Sequence, residues 1–85
     1  MLEKVKMALR ISTNAFDSQL NDLIEVAEQD LQLCGILATS DDPLFRQAVI
    51  TYCKLHFGEP TDYDRLKRSY DEQKAQLKSS VRYNG

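Results

Sequence analysis

From Phe16 to Cys34, apolar residues return every three or four positions: Phe16, Leu20, Leu23, Ile24, Ala27, Leu31 and Cys34. That period lays them along one face of an α-helix. Gly35 follows as the residue that most easily takes the left-handed conformation that ends one. The spacing predicts a helix over about residues 15–34, with Asp22, Glu25, Gln29 and Gln32 on the opposite face.

The segments on either side carry the same period. "LEKVKMALR" places Leu2, Val5, Ala8 and Leu9 on one stripe and reads as a short amphipathic helix, too short to be stable alone. "ISTNAFDS" then offers Ser12, Thr13 and Asn14 as N-cap candidates. After the loop "GILATSDDP", Pro43 opens a helix that runs to about Phe57, since proline's missing N–H is tolerated in a first turn. Its stripe of Leu44, Phe45, Ala48, Val49, Tyr52, Cys53 and Phe57 is widened by Ile50 and Leu55, which implies contact on more than one side. Gly58 and Pro60 end it.

The last helix starts at Thr61 or Asp62, with acids in its first turn and lysines towards its end, as the helix dipole favours. Its stripe is thin: Tyr63, Leu66, Tyr70 and Leu77, with Lys74 interrupting. Residues 79–85, closing in "SVRYNG", have no period and read as a flexible tail. The expected fold is all-α: a small bundle of three long helices plus a short N-terminal helix, in one domain over 1–85. With 85 residues, one core can only just offset the entropy of folding, so a partner surface would help.

Charge is distributed unevenly. The net charge is −2, which speaks against a general nucleic-acid binder. Between Arg10 and Arg46 there is no lysine or arginine, while Asp17, Asp22, Glu25, Glu28, Asp30, Asp41 and Asp42 fall in that window. From Glu59 onward six basic residues meet five acidic ones. An acidic middle thus precedes a slightly basic end. The N-terminus shows no secretory pattern and no segment is long and apolar enough to span a bilayer, so cytosolic synthesis and unpaired thiols at Cys34 and Cys53 are expected.

Cys53, His56 and Glu59 recur at three-residue steps around the only histidine, a spacing that could bring a thiol and an imidazole to one ion. Zinc, however, takes three or four protein ligands, and no second histidine is present. A Cys–His nucleophile would also need an orienting group and an oxyanion site. Cys53 in the core and His56 at its rim is the simpler expectation. No catalytic residue, metal or cofactor is expected, and no glycine-rich phosphate loop occurs. The linker before Pro43 is too long and too acidic for a helix-turn-helix DNA reader.

The order of segments resembles the head-to-tail connector (adaptor) family of tailed bacteriophages and prophages, often labelled DNA-packaging proteins. The likeness lies in "LEKVKMALRI", "FDSQLNDLIEVAEQDLQLCGI", "DPLFRQAVITYCKLHFGEP" and "DYDRLKRSYDEQKAQLKSSVRY". It implies a virion subunit that forms a homo-oligomeric ring on the portal protein, extends the DNA channel without reading sequence, and receives the next connector, stopper or tail-completion protein. No enzyme activity is implied. Asp22, Glu25 and Gln29 would then face Arg65 or Arg68 of a neighbouring subunit, or a basic portal surface, with Tyr63, Leu66, Tyr70 and Tyr83 as apolar anchors. A small helical DNA-binding or regulatory protein is the competing reading.

Overall fold

The computed structural model describes residues 1–36, 38, 41–58 and 61–79. Among them all regular structure is helical: α1 (Leu2–Leu9), α2 (Asp17–Leu33), α3 (Pro43–His56) and α4 (Tyr63–Ser79). The all-α bundle is therefore as expected, although α3, at 14 residues, is shorter than α2 and α4 at 17 each.

The breadth of the α3 stripe is explained by its position. Phe45, Ala48, Val49, Ile50, Thr51, Cys53 and Leu55 are all buried, more than one helix face can hold. The reason is that α1, α2 and α4 all pack against α3. Around it the core takes Val5 from α1, Leu20, Ile24, Ala27 and Leu31 from α2, Ile36 just beyond, and Tyr70 and Leu77 from α4. Thr51, the polar residue among those α3 buries, donates its hydroxyl to the Gln47 carbonyl at 3.0 Å, so it is buried without an orphaned group.

Helix ends follow the expected chemistry in part. Asp42 is extended ahead of Pro43, which opens α3 in its first turn. Ahead of α4, the Asp62 carbonyl accepts from the Leu66 N–H at 3.0 Å. The start of α2 differs from the expected caps. Its N-cap is Phe16, with no side-chain cap bond, because the polar groups upstream are used in the preceding turn. The Thr13 hydroxyl accepts from the Ala15 N–H at 3.2 Å, the Asn14 carbonyl accepts from Asp17 N–H, and the Asn14 side chain accepts from Lys6 at 2.9 Å. Phe16 is also less buried than its place in the period suggests. It meets Phe57 edge to face, 5.4 Å between centroids.

α1 and α2 end in the same way. In α2, the Gly35 N–H donates to Gln32 and the Ile36 N–H to Leu31. In α1, Arg10 donates to Met7 and Ile11 to Lys6. Both are paired reverse bonds around a left-handed residue, with φ 85° at Gly35 and φ 59° at Arg10. Ser79 still belongs to α4. Residues 80–85 lie outside the described residues, as do Glu59 and Pro60, and with them most of the expected tail.

Phe45 is the largest fully buried side chain. Phe45→Ala should cost about 3–5 kcal/mol in urea unfolding, a large share of the stability of a domain this size. Leu33→Ala, at a residue 88% exposed, should stay within about 0.5 kcal/mol.

Candidate functional site

The Cys53 and His56 pair does not converge. Cys53 points into the core, and burial pushes its thiol from 9.0 up to about 12. It is therefore a protonated core residue at neutral pH and not a nucleophile. His56 is exposed and lies against the Tyr52 ring in a tilted contact, 4.2 Å between centroids with 44° between planes. Glu59 lies outside the described residues. Among those described, no three His, Cys, Asp or Glu side chains are placed to hold a metal ion together.

The best-connected polar group instead joins α2 to α4. The Tyr70 hydroxyl donates to Asp30 Oδ2 at 2.5 Å, and Lys74 Nζ is 3.5 Å from the same oxygen. Lys74 also lies over the Tyr70 ring, 5.0 Å from its centroid, a cation–π contact. Burial, and then the hydrogen bond to the Asp30 carboxylate, push the Tyr70 phenol well above its ordinary range. A charge-assisted bond of this kind contributes about 1.5–3 kcal/mol. Two expectations change as a result. Tyr70 is 4% exposed and is committed inside the subunit, so it cannot anchor a partner. Lys74 does not interrupt the α4 stripe: its stem covers Tyr70 while its head finds Asp30 across the bundle.

A second internal pair holds α1. Lys6 is buried, and its ammonium lies 2.9 Å from Asp17 Oδ1 while donating to Asn14. The contact with Asp17 is an ion pair, and Asp17 Oδ1 accepts no hydrogen bond among the described residues. Two carboxylates of the acidic middle are thus neutralised by bases from the ends of the chain.

Asp22 and Glu25 have no such partner among the described residues. Both are exposed with Gln29 on the outer face of α2, beside the half-exposed Val26 and the exposed Leu33. "DRLKRSY" divides three ways. Lys67 and Arg68 face solvent among Asp64, Asp71 and Glu72, with Lys67 3.6 Å from Asp71. Tyr70 points inward. Arg65 and Leu66 line a groove with the ends of α1 and α3. Tyr63 is 45% exposed, and Tyr83 lies outside the described residues. The groove and its residue Arg10 were missed by sequence reading, since no period marks a surface built from three helix ends.

These features define a small helical domain whose polar surfaces suit contact with other chains, and no described helix is long and apolar enough to cross a membrane. The family model described as phage connector protein matches residues 1–84, and the chain belongs to that family. It is a structural family of the virion, whose members contact other head and tail proteins. No curated protein and no solved structure shows a significant match to the chain.

Cys34 is half-buried and Cys53 fully buried, and both are free thiols. At neutral pH a soluble thiol reagent should modify Cys34 promptly and Cys53 only as fast as α3 opens; equal rates in the native protein would contradict the placement. The raised Cys53 value favours the folded state below pH 9 and loses that contribution as pH rises from 9 towards 12. Unfolding free energy should therefore fall over that window, and less steeply in Cys53→Ala.

Proposed function

We propose that the chain is a structural subunit of a head-to-tail connector ring at the virion's head-to-tail junction, made in the bacterial host cytoplasm. The ring docks on the portal protein, extends the DNA channel and receives the next connector, stopper or tail-completion protein. Family membership supports the role. Within the structure, the observation that carries the ring is the unlike character of the outer faces: α2 presents Asp22 and Glu25 with no base among them, whereas α4 presents both signs, Arg65 and Arg68 together with Asp64, Asp71 and Glu72. A ring closes through heterologous contacts, in which one surface of each subunit meets a different surface of the next, so unlike faces are what it needs.

Asp22, Glu25 and Gln29 then face Arg65 or Arg68 of a neighbour, or a basic portal surface. Charge sets register and encounter rate, while Tyr63, Leu66 and Tyr83 supply apolar contact. Lys67 and Arg68 are interleaved with acids, so the α4 face offers no strong phosphate-binding field. A net charge of −2 likewise suits a channel that lets DNA pass without holding it.

Mixing the protein with its portal and imaging the product tests this directly. A stacked ring is expected, and Glu25→Lys and Arg68→Glu should each impair its formation. A chain that ignores the portal, or ring formation unchanged in both variants, would count against the reading. Sequence-preferring, salt-dependent binding to short duplex DNA would favour the regulatory alternative.

A further inference from the structure

The last turns of α1 and α3 and the first turns of α4 converge on an open groove. Leu9, Phe57 and Leu66 give it apolar walls, and Arg10, Lys54 and Arg65 bring three cations. Asp62 is the carboxylate among its described lining residues, and it is already engaged. The Arg65 hydrogen bond holds the Asp62 carboxyl below its usual range, and the charge of Lys54 acts in the same direction. Arg10 and Lys54 make no ion pair with any described residue. Among the described residues the groove thus has apolar walls and positive charge left over.

Arg10 supplies a second, independent observation. Three described residues have positive φ: Gly35, Gly58 and Arg10. Glycine occupies the other two, and at neither would an added Cβ meet an atom within 4 Å, so backbone conformation is what favours glycine there. α1 closes with the same paired bonds as α2, yet carries an arginine in the left-handed position. A bulky side chain where glycine would relieve the backbone marks Arg10 as a position at which the head group, which lines the groove, is worth testing for a role.

We propose that this groove is the socket for the outer face of α2 of a second copy of the chain, receiving Asp22, Glu25 and Val26. The inference rests on the ring reading above and assigns its subunit contact to the Arg10–Lys54 groove instead of the mixed-sign outer face of α4. Charge complementarity selects the occupant. Asp22, Glu25, Val26, Gln29 and Leu33 follow the i, i+3, i+4, i+7 rows of one helix surface, the form in which a helix enters a groove. The two carboxylates lack partners among the described residues, and Val26 is 47% exposed. None of the groove's lining residues belongs to α2, so donor and socket are separate surfaces and the contact can repeat head to tail.

The test is NMR of the isotopically labelled full chain as its concentration is raised to about 1 mM, high enough to detect millimolar association. Resonances of Leu9, Arg10, Lys54 and Leu66 should shift together with those of Asp22, Glu25 and Val26. Lys54→Glu and Glu25→Lys should each weaken association about tenfold, and the double variant should recover it. Arg10→Gly should raise Tm by about 4–8 °C while weakening association, a combination that a purely structural arginine would not give. Absence of concentration-dependent shifts, shifts confined to other surfaces, or no recovery in the double variant would overturn the socket. So would groove shifts caused only by added duplex DNA, which would assign the cations to phosphates. A ring that forms on the portal regardless of the Lys54 and Glu25 variants removes the socket alone. Groove-to-α2 association in a chain that never joins the portal removes the ring role and leaves the contact.

Discussion

Everything in this domain is arranged around the burial of α3. A helix of 14 residues with seven of them buried cannot be covered by one neighbour, and the remaining helices are placed by the need to cover it. α2 and α4 pack against it most extensively, and α1 touches it as well. Because apolar area is spent on α3, the outward faces of α2 and α4 are left to polar and charged residues. The surfaces available to partners are therefore a consequence of which helix is central. In a chain of 85 residues there is little interior to spare, and burial of one Phe45 or Leu31 is a large part of the whole.

The helices were legible in the sequence because their determinants are local. The α2 period, Gly35 behind it and the Asp42–Pro43 start of α3 each act within a few residues, and each appears where expected. What was not legible depends on pairs distant in the chain. Asp30 and Lys74 are 44 positions apart, and no spacing rule marks them as partners. Taken alone, Lys74 breaks a stripe; beside Asp30 and Tyr70 it completes one. Lys6 is likewise buried through Asp17 and Asn14, partners 11 and 8 positions away, outside its own helix. The caps anticipated at Thr13 and Asn14 failed for the related reason that the Thr13 hydroxyl serves the turn and the Asn14 amide oxygen serves Lys6.

The candidate surface divides along the same line. The exposed carboxylates of α2 could be read from the sequence because the opposite, apolar face of that helix fixes where they point. The groove could not be. Arg10, Lys54 and Arg65 come from three helices and are adjacent only because those helices end at one place. Tyr70 shows the converse: spacing put it and Tyr63 in one stripe, and the structure separates a phenol buried beside Asp30 from an exposed one.

The bridge from Asp30 to Tyr70 and Lys74 also bears on the order in which the chain assembles. α2 with α3, and α3 with α4, are neighbours in sequence, so each pair closes a short loop at modest entropic cost. The bridge spans both loops at once and ties α2 to α4 across 44 positions of the chain. If so long-range a contact forms after the local pairs, its loss speeds unfolding more than it slows folding. In a subunit that must hold its shape within a larger assembly, such a bond contributes less to finding the fold than to keeping it closed.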